Sequence, residues 1–407
     1  MRRKFTIFAV VAMILVAIAA CSKDELGVEV IVPQQEQMDS YRVSVDEALR
    51  SAETILRAGD RDTRSAARRV KSTELYVAKP ATRSNENTEV SFYLINYEDN
   101  AGYALVSTDE RTTPVYMYAE EGNITTEAFE EVPPLAIFME EAIANYEAEV
   151  ASSGADEPID IGFPPGVSGK IGIYNGIQCY ISVDSTSVVK GPYCTARWNQ
   201  GEPYNAHCNP PHYVGCGPVA IGQVMAYYQH PASQSGYSFN WSLINSQPYY
   251  TSLSTPGAAD LALFLRRIGD IAGADYTDAD YPTGISASII PSTFQQFEYT
   301  TSGCETYTSS LAKVEINNNR PFVVWGTDDD GGCHAWVIDG YESHLTITRY
   351  NELNPPYALI HSETTEILYI NCNIGWGHNS YESYRYSTLD IYHNSIGMVR
   401  NIQPTTE

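Results

Sequence analysis

The segment Val214-Gly215-Cys216-Gly217-Pro218-Val219-Ala220-Ile221-Gly222-Gln223-Val224-Met225-Ala226-Tyr227-Tyr228 constrains the fold more than any other stretch of the chain. Pro218 suits the first turn of a helix, where a missing N–H costs nothing, and His230-Pro231 stops the helix again. Around it the second half, Lys170 to Glu407, reads as many short strands rich in Tyr, Val and Ile. Strands are expected at Phe322-Val323-Val324-Trp325, Ala335-Trp336-Val337-Ile338 and Ile367-Leu368-Tyr369-Ile370. Two further helices are expected over 257–271 and 292–297. A buried helix start among strands is the frame of an α+β domain.

A chain of 407 residues exceeds what one hydrophobic core usually supports, so two folded units plus an export segment are expected. Residues 1–21 read as the export segment, residues 22–153 as a tether and a small α+β pro-domain, residues 154–169 as a linker, and residues 170–407 as the second domain. Within the first unit, Ala48, Leu49, Ala52, Ile55 and Leu56 repeat at helix spacing over 44–59. Residues 61–71 are basic, polar and expected to be exposed. Three antiparallel strands follow at 90–95, 103–107 and 115–118, with Glu98-Asp99-Asn100-Ala101-Gly102 as a turn. Pro133-Pro134 introduces a helix over 135–150 with Leu135, Met139, Ile143, Tyr146 and Val150 on one face, and the Pro-, Gly- and acid-rich linker comes next.

The formal net charge of −25 repels nucleic acid and anionic membrane surfaces, which excludes both as partners of the folded part. Arg2, Arg3 and Lys4 precede an apolar run from Phe5 to Ala20 that is short and terminal, as in a signal peptide. The run closes on Ile18-Ala19-Ala20-Cys21, which resembles a lipobox and implies cleavage before Cys21 and acylation of that residue. The expected location is the outer membrane or cell surface, with the membrane touched through the lipid alone and release after processing. Export permits disulfides. Setting Cys21 aside, Cys179, Cys194, Cys208, Cys216, Cys304, Cys333 and Cys372 are odd in number, so one thiol lacks an intrachain partner and the other six are able to form bridges.

Cys216 stands where the helix N-terminus presents unpaired N–H groups and the positive end of the macrodipole, an environment that favours the reactive thiolate. A thiolate nucleophile needs a base. His334, in Gly331-Gly332-Cys333-His334-Ala335-Trp336-Val337-Ile338-Asp339-Gly340, lies at the mouth of an expected core strand, which fixes its ring and leaves one edge open. Asn373, in Asn371-Cys372-Asn373-Ile374-Gly375-Trp376-Gly377, is the candidate to orient the imidazole, with Trp376 covering that hydrogen bond. Gln200, in Trp198-Asn199-Gln200-Gly201-Glu202-Pro203-Tyr204-Asn205, is the candidate to join the Cys216 N–H as oxyanion donor.

Those four segments, in their order along the chain, resemble the streptopain family of bacterial cysteine proteases. The resemblance implies a papain-like fold for 170–407, endopeptidase action on protein substrates with a hydrophobic residue preferred one place before the scissile-bond residue, and no cofactor. The first half is similar to that family's inhibitory propeptide, which implies a zymogen inhibited by its own pro-domain until the linker is cut, between about Ala155 and Tyr193. Gly217-Pro218, Cys333, Ile374 and His378 depart from the family pattern; His378 ranks far below His334 as the base. Two other readings compete: a catalytically silent surface-displayed binding or inhibitor lipoprotein on the same fold, and a structural zinc site gathering His207, Cys208, Cys333, His334 and Cys372. The second lacks any Cys-x-x-Cys spacing.

Overall fold

The computed structural model describes residues 41–59, 68–78, 89–152, 170–209, 212–277, 283–328, 332–354, 356–377, 383–386 and 396–405. Cys21 and the whole signal segment, the 154–169 linker and His378 lie outside the described residues.

Helix α1 (Val45–Gly59) begins at a capping box: the Ser44 N–H donates to Glu47 Oε2 at 2.9 Å and the Glu47 N–H returns to Ser44 Oγ at 3.3 Å. Its apolar face buries Ala48, Ala52 and Leu56 completely. They pack on Ile95, Ala104 and Val106 of the sheet formed by β1 (Val70–Val77), β2 (Ser91–Tyr97), β3 (Tyr103–Ser107) and β4 (Val115–Ala119). Successive strand residues face opposite sides, so Phe92, Leu94, Leu105 and Tyr116 turn to the other face. There they meet Leu135, Phe138, Ala142 and Tyr146, carried on α3 (Pro133–Ser152) after the short α2 (Ala128–Glu131). With a helix on each side, β2, β3 and β4 are buried along their whole length.

The same sheet runs on through the second half. Hairpin β5 (Lys170–Tyr174) and β6 (Ile177–Lys190) is followed by α4 (Cys216–Tyr228), the ribbon β7 (Ser233–Gln234) and β8 (Tyr237–Ser238), α5 (Trp241–Ile244), α6 (Ala258–Ala272) and α7 (Ile290–Gln296). Then come β9 (Tyr299–Thr300), β10 (Cys304–Thr306), α8 (Ser309–Asn317), β11 (Phe322–Thr327), β12 (Cys333–Glu352), β13 (Leu359–Asn373), β14 (Ser383–Tyr386), β15 (Gly397–Val399) and β16 (Gln403–Pro404), the last pairing with β9. Among the described residues the main sheet has the order β1-β2-β3-β4-β14-β13-β12-β11-β15-β10, with β6 and then β5 added along the distal part of β12. The two halves join where β4 pairs with β14, Tyr118 opposite Tyr384 and Met117 opposite Arg385.

Helix α4 packs in the core against α6, and Gly222 is what lets them approach. A Cβ there would lie 2.8 Å from Leu265 Cδ2 and 3.2 Å from Trp198 Cζ3. This helix is buried continuously from Gly217 to Ala226, as its largely apolar composition requires, with Gln223 the one polar side chain in that run.

The structure differs from the sequence reading in three places. Residues 70–77 form strand β1 on the edge of the sheet, a strand the reading did not place, although Val70 and Lys71 are exposed as expected. Strands β12 and β13 extend far beyond the expected 335–338 and 367–370, into a long hairpin that β6 continues. The expected disulfides are also absent: no bridge joins any two of the seven cysteines. Cys208 lies in hydrogen-bond contact with the Tyr276 hydroxyl, Cys304 Sγ lies 3.6 Å from the Ala287 carbonyl, and Cys333 faces Thr327 Oγ1 at 3.3 Å across the β11–β12 ladder.

Candidate active site

Cys216 is the first residue of α4, and Gly215 before it is the N-cap, with φ of 96°. A glycine offers the helix no capping side chain, so the first-turn N–H groups keep their hydrogen-bonding capacity. Two of them, those of Cys216 itself and Gly217, point at the Cys216 sulfur, and the N–H of Ala335 on β12 joins them. Ala335 directly follows His334, so the helix start and the histidine's strand meet at the sulfur. The three donors draw the thiol down, but burial outweighs them and pushes it above its ordinary value. The thiolate expected from the helix end alone is therefore disfavoured in this form of the chain.

His334 is the second residue of β12 and is buried. Its Nε2 lies 2.8 Å from the carbonyl oxygen of Ile374. A carbonyl only accepts, so Nε2 carries the proton and the neutral ring keeps Nδ1 as its basic nitrogen. The ring runs nearly parallel to Trp336, at 6.3 Å and 15°, and Trp376 leans over it with centroids 5.2 Å apart. Trp376 is thus beside the imidazole.

Asn373 is not the imidazole's partner, which corrects the sequence reading. Its Oδ1 accepts from Gln223 Nε2 at 2.6 Å and its Nδ2 donates to the Ala196 carbonyl at 2.6 Å. The orienting acceptor is the backbone carbonyl one residue later. A main-chain oxygen leaves no trace in a sequence motif, which is why it was missed; Gln223, which holds Asn373, lay in plain view on the helix.

Gln200 sits in a loop tied to both sides of the site. Its carbonyl accepts the Val214 N–H at 2.9 Å, two residues before Cys216. Asn199 Oδ1 accepts the N–H groups of Gln200 and Gly201, at 2.5 and 3.0 Å, an Asx-type turn that sets the loop's shape. The loop also reaches the tryptophan: Asn199 Nδ2 donates to the Trp376 carbonyl at 3.4 Å, and the Gly377 N–H donates to the Trp198 carbonyl at 2.9 Å. One short loop thus connects the start of α4 to the aromatic cover of His334.

Residues 198–384 match the Peptidase C10 family, and residues 40–145 match the Spi protease inhibitor family. The chain is 24% identical over 298 residues to the thiol protease/hemagglutinin PrtT of Porphyromonas gingivalis, a match that covers 64% of this chain and 32% of that protein. The chain therefore spans about a third of the length of that curated relative. Among solved structures, it is similar to a fragment of prointerpain A from Prevotella intermedia at 16% identity and a TM-score of 0.50, covering 81% of this chain and 98% of that one. The fold is the α+β, papain-like arrangement with a small α+β pro-domain that the sequence resemblance implied. The two family matches lie side by side in the chain: the Peptidase C10 match holds Gln200, Cys216, His334, Asn373 and Trp376, and the Spi protease inhibitor match ahead of it holds β1 to β4.

Proposed function

We propose that the chain is a cysteine endopeptidase made as a zymogen, with Cys216 as nucleophile and His334 as general base and acid. The observation that carries this reading is the Ala335 N–H on the Cys216 sulfur, which brings the start of α4 against the strand of a histidine whose Nε2 is committed to Ile374. The sulfur adds to the scissile carbonyl carbon while Nδ1 takes the thiol proton. The resulting oxyanion is met by the Cys216 N–H and the Gln200 side-chain amide. When the C–N bond breaks, the imidazolium gives its proton to the leaving amine, and a thioester remains on Cys216. Nδ1 then takes a proton from water, which hydrolyses the thioester. Ile374 holds the ring, Trp376 and Trp336 shield it from water, and Asn373 acts as a positioning residue through Ala196 and Gln223.

The first half is the intramolecular inhibitor, and removal of the propeptide at the linker activates the enzyme. The division into 22–153, 154–169 and 170–407 follows the composition of the chain. Export with a lipid on Cys21 rests on the signal-like run and the lipobox resemblance, and places the enzyme where its substrates are other proteins.

The test is Cys216→Ala in the full chain. Casein cleavage and release of a shorter form should both disappear, and a thiol-alkylating epoxide should label Cys216 in the processed wild type. Self-processing retained by the variant, free of contaminating protease, rules this mechanism out and leaves a binding or inhibitor role.

A further inference from the structure

Tyr97 closes β2 with its side chain buried and its hydroxyl without a hydrogen-bond partner among the described residues, and it takes no part in the reaction proposed above. The side chain lines a cavity of about 480 Å³ between α1 and the β1–β2 edge of the inhibitor-like half. Arg50, Glu53 and Arg57 stand three and four residues apart along α1, so they present one face of that helix to the cavity. Opposite the helix, Val70 is paired with Tyr97 across β1 and β2 and shares its side of the sheet. Arg68 completes the wall, with Nε donating to the Ala101 carbonyl at 2.8 Å. Glu53 is engaged by Arg57 Nε at 2.7 Å. Three guanidinium groups thus line one cavity with a single carboxylate, in a chain whose formal net charge is −25. Burial and the Glu53 charge push the Tyr97 hydroxyl up to about 12, against the pull of Arg68. At neutral pH the hydroxyl is therefore a donor awaiting an acceptor.

We propose that this cavity is a binding site for an organic carboxylate, a monoanion with an apolar body. Guanidinium forks match the two oxygens of a carboxylate, and the Tyr97 hydroxyl supplies one more donor. Glu53 opposes a second negative charge on the ligand. Leu49, Val70 and the Tyr97 ring are the apolar walls against which the body of the ligand leaves water. A ligand held there binds the folded inhibitor-like half and not the unfolded chain, so it stabilises the fold by mass action. The cavity lies on the α1 side of the sheet, opposite α3, and its occupancy does not depend on the protease reading.

The test uses the full-length chain with Cys216→Ala, so that no self-processing intervenes, titrated with octanoate, acetate or inorganic phosphate and followed by calorimetry and thermal unfolding. Octanoate should bind one site with saturation and raise the unfolding midpoint. Acetate and phosphate, which lack the apolar body, should each bind at least about tenfold more weakly. Arg68→Gln and Tyr97→Phe, added singly, should each weaken octanoate about tenfold, the loss of one hydrogen bond to a charged group. Tyr97→Phe should also leave the ligand-free midpoint no lower than before, because the hydroxyl it removes has no partner to strand; a merely structural hydroxyl gives a lower midpoint. Should Arg68→Gln fail to fold, Arg50→Gln takes its place. Octanoate heats that never saturate, or equal octanoate affinity in every variant, overturn the site and show a cavity that holds water alone. Phosphate bound as tightly as octanoate overturns it too, since charge alone then draws the ligand.

Discussion

The hydroxyl of Tyr118 donates a 2.6 Å hydrogen bond to Glu342 Oε2, and both side chains are fully buried. Tyr118 lies on β4 in the inhibitor-like half and Glu342 on β12, the strand of His334. His344 Nε2 approaches the other carboxylate oxygen at 2.7 Å, and the Tyr369 ring meets Tyr118 edge-on at 5.2 Å. A buried carboxylate oxygen deprived of its donor costs more than the bond itself returns.

Tyr118→Phe should therefore loosen the grip between the two halves by about 1–3 kcal/mol, roughly a factor of 5 to 150 in the docking equilibrium. Self-processing should quicken, and amide exchange along β4 should rise while α6 stays protected. Unchanged processing and exchange would mean that the apolar contacts alone hold the propeptide.

Asp339 gives a pH dependence of defined sign. The residue is buried next to the chain's path into α4, where its Oδ2 accepts the Cys194 N–H at 2.8 Å. Burial pushes its carboxyl up to about 7, against the pull of that N–H and of Arg197. The folded state then holds a proton that the unfolded state releases above about pH 4. Stability from this group is full below that point and is lost as pH rises towards 7, by on the order of 1.4 kcal/mol per unit. Asp339→Asn keeps an oxygen for Cys194 and removes the titration. Urea midpoints from pH 4 to 8 should fall less steeply in the variant, and the remaining decline near pH 8 belongs to Glu141, which burial and Glu140 push up to about 8. A variant curve parallel to wild type would contradict the assignment.

Gly215 meets a second constraint at the nucleophile. Its φ of 96° lies where a side chain is strained, and a Cβ there would stand 3.3 Å from the Thr283 carbonyl and 3.4 Å from Pro218 Cδ. Gly215→Ala should cost about 1–3 kcal/mol in thermal or urea stability and slow alkylation of Cys216 in the processed enzyme, because the sulfur shifts from its three N–H donors. Wild-type stability and reactivity together would show that the turn tolerates a side chain.

The parts of the fold legible in the sequence are those where burial imposes a period. Helix α1 shows it through Ala48, Ala52 and Leu56, and strands β2 to β4 through short apolar runs bounded by turns; Pro218 and Pro231 bracket α4. Beyond Tyr341 and before Leu368 the β12–β13 hairpin carries polar residues on both faces, and β6 is exposed along most of its length. The alternation there, Leu345 and Ile347 on β12 and Ile181 and Val183 on β6, is short and buries neither face, so backbone pairing carries these strands, joined by surface contacts such as the stack of Tyr174 on His361. At the site, Cys216 and His334 were legible because a helix start and a strand start announce themselves. The Ile374 carbonyl and the Ala335 N–H were not, because every residue owns both groups.

Asn373 separates the two accounts of the site. In the sequence account it holds the imidazole, so Asn373→Ala moves the pH–rate limb assigned to His334. In the structure its side chain is spent on Gln223 and Ala196, both contacts at 2.6 Å and both buried. The substitution should then lower unfolding stability by about 1 kcal/mol, through the loss of two buried hydrogen bonds, since Gln223 Nε2 still donates to the Ala196 carbonyl at 3.1 Å. It should lower kcat/KM through displacement of Ile374, and leave the limb of the pH profile where it was. Urea unfolding and a pH–kcat/KM profile on one preparation read both quantities. A displaced limb with wild-type stability would return Asn373 to the imidazole during turnover, and Ile374 would lose its role.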